Sequence, residues 1–449
     1  MSDVIPERRV LDRTKVVFPV ELTSDSNIGE TIEISETGIS MKFKKNGLVP
    51  VESILLKVTT PTFLKLKIQN VWSRVVEDGA CFGGQFLDIT EEDRNILREG
   101  LLRYKFIDPL FVNLTLEIRH FLMKIKTEFD EFDKTGPDES QQIRFISENK
   151  KEIFSKLDKD FNVVWQAAKD LDTKSSNIYK RYFHQMLEPF LGCQMEINNH
   201  IYQKPLGYPG DFMVMNYIFD YHKDKYLGET SYQKLINHYT CNIPIAKSNV
   251  RRKEFFKYKI LEILKEKKNP RLLSVCSGPV KELIELVEEG KIDRPLTFKC
   301  IDFEERTLWY IMDEMKKIDD NKKQFLKIEY LHKSIPTLIR NKTLKGEVGK
   351  QDLVYSSGLF DYLTNRLASR LVRDLYELLD KKGLLIMCNA SLIDNSHRAY
   401  YELLGDWVFN HRTKEELLEW TKTLKTTGEI KIDGPQDGRC YLYLHVNKG

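Results

Sequence analysis

The sequence predicts three regions in order: an antiparallel β-barrel, a helical connector, and an α/β domain with a doubly wound sheet. Residues 15–89 hold six short segments in which apolar and polar residues alternate, with turn residues but no helical pattern between them. From residue 270 onward strand and helix patterns alternate, which is typical of a parallel sheet covered by helices on both faces. We place the domains at residues 1–105, 106–184 and 185–449.

The composition is typical of a globular protein with more than one domain. The 449 residues are 41% hydrophobic and 31% charged, and the net charge of +3 offers no electrostatic argument for a nucleic-acid partner. There is no apolar run of about 18 residues, and MSDVIPERRV lacks the apolar part of a secretory signal. The seven cysteines form no C-x-x-C pair, and the histidines show no ligand spacing. We therefore expect a cytoplasmic protein with reduced thiols, no metal and no membrane-spanning segment.

The strand segments of the predicted barrel are KVVFPVEL, ETIEIS, GISMKF, SILLKVT, LKLKIQNVWSRVV and CFGGQFLDI. A helix is expected to follow them, because Thr90 precedes the acids Glu91, Glu92 and Asp93, as in an N-cap with an acidic first turn. Helical spacing of apolar residues then predicts the connector, whose long helices near residues 103–135 could pair between chains and form a homo-oligomer.

Polar residues with the chemistry to bind guanine occur before and inside the predicted barrel. They are Arg8, Arg9, Arg13, Glu33, Ser35 and Gly38. A guanidinium can donate to O6 and N7 of guanine and can stack on its ring, whereas a carboxylate can accept from N1 and N2. The hydroxyl of Ser35 adds a donor, and Gly38 permits close backbone approach or a positive φ. The alternative is a solvated, charged tail.

The R-x-x-x-R spacing before the first strand and the acid-x-S-x-x-G pattern within the barrel resemble the PilZ domain, a receptor for cyclic di-GMP. The resemblance covers about residues 5–105 and implies that the six residues bind cyclic di-GMP. Glu33 departs from the family, which usually has Asp or Asn there. The extra methylene predicts a lower affinity.

A glycine turn and an acid follow the first two strands of the α/β region. Gly278 lies in SVCSGPVKE, and Asp302 ends the second strand 24 residues later (302 − 278), near the spacing of an acid that binds ribose hydroxyls. The pattern resembles a class I S-adenosylmethionine-dependent methyltransferase, although Cys276 and Val280 stand where glycines are common. G-x-G-x-x-G is absent, which disfavours a dinucleotide dehydrogenase. The resemblance implies cofactor binding by Ser277, Gly278, Asp302, Phe303 and Ser357.

Three further segments, KPLGYPGDFMVMN (204–216), SGLFDYL (357–363) and DWVFNHR (406–412), resemble one methyltransferase group. Relatives in that group include proteins described as making the methyl ester of 3-hydroxypalmitic acid. The resemblance covers about residues 185–445 and implies that KPLGYPGD folds over the cofactor as part of a lid; a rigid surface turn is the alternative. It also implies catalytic roles for Tyr208, Asp211 and Tyr362.

Methyl transfer to a carboxylate requires little acid–base chemistry, because the methyl group is activated and the acceptor is already anionic. For a hydroxyl acceptor, His332 or His411 could serve as the base, and Asp361 could orient an acceptor or cap the next helix. Two functions stay open. One is a cyclic di-GMP receptor with a methyltransferase domain acting on a small molecule, a fatty-acid carboxylate being one candidate. The other is a non-catalytic cyclic di-GMP sensor whose methyltransferase fold acts through a protein partner.

Overall fold

The structure, a computed structural model, divides the chain into two compact units. The first unit holds the described residues up to 135, together with 155–194 and 402–405, and the second holds 136–154, 195–401 and 406–449. The three domain boundaries given above stay a prediction. The structure describes residues 19–22, 28–35, 38–43, 53–57, 63–76, 79–94, 96–97, 107–192, 194–221, 226–334, 337, 344–393, 396–434 and 440–449.

Six antiparallel strands form a closed barrel in the first unit, as predicted. The strand order is β1-β2-β3-β6-β5-β4, and β1 pairs with both β2 and β4, so the ring closes. Alternation along β5 buries Leu64, Leu66 and Ile68 and exposes Lys65 and Lys67. The strands are β1 (Pro19–Leu22), β2 (Ile28–Ile34), β3 (Gly38–Phe43), β4 (Ser53–Lys57), β5 (Phe63–Val76) and β6 (Gly79–Leu87).

Helices follow the barrel, beginning with the turn capped by Thr90, whose Oγ1 accepts from the backbone N of Asp93 at 3.1 Å. The next helices are α1 (Pro109–Asp133), α2 (Glu139–Ala168) and α3 (Thr173–Leu191). Helices α1 and α3 pack through the rings of Phe111 and Tyr179, whose centroids lie 4.6 Å apart. Residues of α2 belong to both units.

No helix in the described part of the chain has both the length and the apolar character needed to cross a bilayer.

The second unit contains a seven-stranded mixed sheet with the order β12-β13-β11-β10-β7-β8-β9. The five strands from β7 to β11 are parallel, as predicted, whereas β13 is antiparallel to both β11 and β12. The strand order reverses between β7 and β10, which makes this the switch point of a doubly wound sheet. The strands are β7 (Arg271–Val275), β8 (Leu296–Asp302), β9 (Leu326–His332), β10 (Gln351–Ser356), β11 (Leu379–Ala390), β12 (Ile430–Asp433) and β13 (Tyr441–Asn447).

Helices precede the sheet and alternate with its strands. Before it come α4 (Glu196–Gln203), α5 (Phe212–Tyr221), α6 (Ser231–Asn242) and α7 (Pro244–Glu266). Between the strands lie α8 (Lys281–Glu288), α9 (Glu305–Lys317), α10 (Asp320–Lys323), α11 (Leu344–Val348), a 3₁₀ turn (Phe360–Tyr362), α12 (Asn365–Tyr376), a π-helix (Ala399–Leu404) and α13 (Lys414–Glu419). The apolar residues of β7 and β10 are buried, as expected for strands covered on both faces.

Candidate functional site

A cavity of about 500 Å³ lies at the carboxyl ends of β7, β8 and β10 in the second unit. This is the switch point of the sheet, where doubly wound folds bind their ligands. The volume falls within the range of roughly 300–1,000 Å³ that is usual for small-molecule sites. Apolar and aromatic side chains dominate the wall, and a few polar and charged groups interrupt it.

Seven of the eight residues implied above as catalytic or cofactor-binding line this cavity. They are Tyr208, Ser277, Gly278, Asp302, Phe303, Ser357 and Tyr362. The eighth, Asp211, is not part of the lining. Its Oδ1 accepts from the backbone N of Met213 at 2.9 Å and of Val214 at 3.1 Å, and its Oδ2 lies 2.7 Å from His200 Nε2. Asp211 therefore caps α5 and stands outside the cavity wall.

The turn after β7 has the backbone of a glycine-rich loop, although two of its three residues with a positive φ are not glycine. Cys276, Gly278 and Val280 have φ angles of 50°, 57° and 41°. The left-handed region is disfavoured for L-residues by roughly 1–2 kcal/mol and is a clear outlier for a β-branched valine. A Cβ at Gly278 would meet no atom within 4 Å, so the space beside its backbone is open. Strain of this kind is typical of functional turns.

Asp302 joins the end of β8 to that turn. Its Oδ2 accepts from the backbone N of Gly278 at 3.1 Å, and its Oδ1 accepts from the backbone N of Glu304 at 3.0 Å. Burial raises the pKa of Asp302 to about 6, although these backbone donors act in the opposite direction. Because each carboxylate oxygen has more than one lone pair, Asp302 can still accept from two ligand hydroxyls.

The neighbours of Asp302 form an aromatic wall. The rings of Phe303 and Tyr208 lie 5.3 Å apart between centroids. Burial, followed by the nearby charge of Asp302, raises the pKa of Tyr208 above its ordinary value, so its hydroxyl stays protonated at neutral pH. Ser277 instead turns its hydroxyl inward, where it donates to the carbonyls of Ser274 at 3.0 Å and Ile301 at 3.1 Å. Ser277 therefore shapes the turn.

The segments 204–216, 357–363 and 406–412 meet beside the cavity. Lys204 Nζ donates to Asp406 Oδ2 at 2.5 Å. A Cβ at Gly210 would lie 2.4 Å from the ring of Trp407, so only glycine permits this close approach. Trp407 Nε1 in turn donates to the hydroxyl of Tyr362 at 2.6 Å. These contacts link the segment 204–216 to 406–412, and that segment to 357–363.

The other residues considered for acid–base roles have structural partners. Asp361 Oδ1 accepts from the backbone N of Ala390 at 2.6 Å, whereas α12 is capped by Thr364. Asp361 therefore does not cap the helix that follows it, although it does line the cavity. Neither His332 nor His411 belongs to the lining. Burial lowers the pKa of His411 to about 3, which makes it a weak base.

Sequence reasoning missed the residues that α7 contributes to the cavity. Asn249, Arg252 and Phe256 of α7 line it, as does Tyr441 at the start of β13. The positions i, i+3 and i+7 share one face of a helix, which is why these three residues of α7 reach the cavity together. The guanidinium carbon of Arg252 lies 4.4 Å from the centroid of the Tyr441 ring.

The barrel holds the remaining implied binding residues that the structure describes. Glu33 of β2 pairs with Ser40 of β3. The backbone N and the hydroxyl of Ser35 both donate to the Gly38 carbonyl, at 2.8 and 3.3 Å. A Cβ at Gly38 would lie 2.7 Å from the carbonyl oxygen of Gly84, so close backbone approach rather than a positive φ requires glycine here. Arg8, Arg9 and Arg13, which the resemblance implies as binding residues, lie outside the described residues.

Residues 7–103 match the family model of the PilZ domain, which confirms that part of the resemblance. A search of curated proteins found no match.

Solved structures show distant similarity. A protein of Bordetella parapertussis described as a possible exported protein shares 15% identity at a TM-score of 0.45, covering 57% of this chain and 87% of its own. N-methyltransferase NodS of Bradyrhizobium japonicum shares 13% identity at a TM-score of 0.30, covering 44% of this chain and 87% of its own. Magnesium protoporphyrin IX methyltransferase of Synechocystis shares 11% identity at a TM-score of 0.35, covering 53% of this chain and 98% of its own.

Proposed function

We propose that this protein is a cyclic di-GMP receptor whose second unit is an S-adenosylmethionine-dependent methyltransferase acting on a small carboxylic acid. The observation that carries the proposal is the cavity at the switch point, where the left-handed turn around Gly278 meets the carboxylate of Asp302. The mixed sheet, with antiparallel β13 inserted between β11 and β12, also resembles the sheet of class I methyltransferases.

The residues of the cavity fit this cofactor. Asp302 keeps lone pairs for the two ribose hydroxyls, and the open space beside Gly278 allows a ligand to approach the backbone closely. Phe303 is 40% exposed and offers a flat apolar face next to Tyr208. When bound, S-adenosylmethionine supplies a methyl group attached to a positively charged sulfur.

The chain's own contribution to the reaction would be orientation and exclusion of water. The lining contains no histidine that could act as the base for a hydroxyl acceptor, and its carboxylates Glu282, Asp302 and Asp361 already accept hydrogen bonds from Tyr355 or from backbone N–H groups. An acceptor that is already ionised needs no such base, which favours a carboxylate over an alcohol. The apolar wall, including Leu206, Phe212 and Met215, favours an acceptor with a hydrocarbon body. A fatty acid meets both requirements, and the resemblance to the methyl-ester-forming group supports it.

The receptor role rests on the PilZ match over residues 7–103 and on the composition of its motifs. The arginines of R-x-x-x-R supply donors for guanine and phosphate, and Glu33 supplies an acceptor. The closed barrel, with Ser35 directly after β2 and Gly38 at the beginning of β3, supports the same assignment. Cyclic di-GMP would then act as a regulatory ligand.

Transfer of labelled methyl groups tests the enzymatic proposal. The wild-type protein, incubated with methyl-labelled S-adenosylmethionine and long-chain fatty acids, should form an apolar product whose label is released by mild base, as an ester requires. Asp302→Ala should reduce the rate at subsaturating cofactor, because each lost hydrogen bond to the charged acceptor costs about 1.5–3 kcal/mol. Label that is stable to base would contradict an ester product.

The second candidate is the non-catalytic sensor. The side chains of Cys276 and Val280 in the left-handed turn favour it, because these positions are held under strain in a loop that glycine would relax. A wild-type protein that binds cyclic di-GMP, but whose unfolding temperature does not respond to S-adenosylmethionine, would support this candidate.

A further inference from the structure

Arg252 is a buried cation in the wall of the cavity. It lies on α7, with 7% of its surface exposed. The guanidinium stacks on Tyr441, and its Nη2 lies 3.8 Å from the position that a Cβ would take at Gly358. Arg252 therefore contacts the beginning of β13 and approaches the loop that follows β10. These elements lie on the opposite side of the switch point from Asp302.

The charge of Arg252 is not neutralised by a close partner. Within the described part of the chain it forms no ion pair at 4.0 Å or less, and its Nη1 is buried without a hydrogen-bond partner. Lys253, the neighbouring cation of the lining, donates instead to both oxygens of Glu285 at 2.7 Å. Two buried acids of the lining interact with the charge of Arg252. Asp361 is held by the backbone N of Ala390, and burial raises its pKa to about 6 against the effect of Arg252, whereas Glu282 accepts from the hydroxyl of Tyr355 at 2.6 Å.

A buried guanidinium without an ion-pair partner is rare in folded proteins, because burial of an unpaired charge is unfavourable. An anion bound in the cavity would compensate the charge of Arg252. The planar guanidinium matches a carboxylate better than a compact cation does. The second, independent feature is the apolar wall beside it, formed by Phe219, Leu363 and Phe409 among others.

We propose that Arg252 binds the carboxylate of the methyl acceptor and so determines both the class of acceptor and its orientation. This inference rests on the methyltransferase function proposed above. With one carboxylate oxygen held by Arg252, the other forms a bond to the methyl carbon. The carbon–sulfur bond breaks and its electron pair stays on sulfur, so a carboxylate and a sulfonium become a neutral ester and a neutral thioether. No proton is transferred.

Calorimetric titration of the full chain tests this assignment with dodecanoate, dodecan-1-ol and S-adenosylhomocysteine as probes. Arg252→Gln should weaken dodecanoate binding about 10- to 100-fold, the range for a hydrogen bond to a charged group. Its affinities for dodecan-1-ol and S-adenosylhomocysteine should remain at the wild-type values. Arg251→Gln is the matched control, because Arg251 precedes it on the same helix, is exposed and does not line the cavity. Arg252→Lys, which keeps the charge without the planar fork, should be intermediate.

The outcomes separate this inference from the proposed function. Unchanged dodecanoate affinity in Arg252→Gln, or in Arg252→Lys should the first variant fail to fold, would overturn the assignment. So would a selective loss of S-adenosylhomocysteine affinity, which would assign Arg252 to the carboxylate of the cofactor. A wild-type protein that binds S-adenosylhomocysteine but not dodecanoate would overturn the inference and leave the methyltransferase proposal intact. Dodecanoate binding that depends on Arg252, without any cofactor binding, would support the carboxylate site and contradict the proposed function.

Discussion

Replacement of Asp302 by asparagine measures how strongly the cavity disfavours a negative charge at the end of β8. Asp302 is 3% exposed, and burial raises its pKa to about 6 from an ordinary value of 3.8. At about 1.4 kcal/mol for each pKa unit, ionisation destabilises the folded protein by about 3 kcal/mol. The folded chain binds the proton of the Asp302 carboxyl group more tightly than the unfolded chain does. Protonation of Asp302 therefore stabilises the fold fully below about pH 4, and this stabilisation is lost as the pH rises through about 6.

We therefore expect Asp302→Asn to gain stability relative to the wild type as the pH rises. At about pH 4 both side chains are neutral, and the variant should be the less stable protein, because an amide cannot accept from both Gly278 N and Glu304 N. Between about pH 4 and about pH 7.5 the difference should shift by about 3 kcal/mol in favour of the variant. This corresponds to roughly 6–12 °C in the Tm of the second unit.

Differential scanning calorimetry of the full chain over this pH range is the assay. The relevant transition is the one that S-adenosylmethionine shifts in the wild type. Asp320→Asn serves as the control, since the Asp320 side chain is 99% exposed, and its difference from the wild type should change little with pH. A difference between Asp302→Asn and the wild type that is the same at both ends of the range would refute the reasoning.

Three further perturbations test other parts of the account. Arg9→Ala and Arg13→Ala should each weaken cyclic di-GMP binding by about 1–3 kcal/mol. Unchanged affinity of the double variant in calorimetry would show that the R-x-x-x-R motif does not bind cyclic di-GMP. Gly210→Ala should lower stability by about 1–3 kcal/mol, because its Cβ would overlap the ring of Trp407, whereas Gly346→Ala, with open space around it, should not; equal melting temperatures of the two variants would contradict this. Cyclic di-GMP and S-adenosylmethionine should change each other's affinity by the same factor, worth about 1–3 kcal/mol, and identical affinities with and without the other ligand would indicate independent domains.

Local patterns were sufficient to predict most of the fold. Period-two alternation in β5 identifies its buried face without knowledge of its partners, and the alternation of strands and helices after residue 270 predicts a parallel sheet. Strands β12 and β13 were missed because they follow the last helix without another crossover, although YLYLHV is rich in strand-forming residues. Closure of the barrel depends on the pairing of β1 with β4, a contact between distant segments that no local pattern encodes.

In the candidate site, too, some residues could be predicted from the sequence and others could not. Gly278 and Asp302 could be placed because ligands of doubly wound sheets bind where parallel strands end, a general rule of the fold. The catalytic role implied for Asp211 stays a prediction, because an aspartate before an apolar helical segment has the same appearance in sequence whether it caps the helix, as Asp211 does, or contacts a substrate. Arg252 was missed because one arginine in a 23-residue helix cannot be distinguished from its exposed neighbours until the packing of that helix is known.

Calorimetric titration of the wild-type chain with S-adenosylmethionine, and separately with cyclic di-GMP, tests most directly whether one protein carries both binding sites. We predict saturable binding of each ligand. Asp302→Ala should weaken only the binding of S-adenosylmethionine, and the Arg9→Ala, Arg13→Ala double variant only that of cyclic di-GMP. A wild-type protein that binds cyclic di-GMP but gives no heat with S-adenosylmethionine would contradict the methyltransferase assignment.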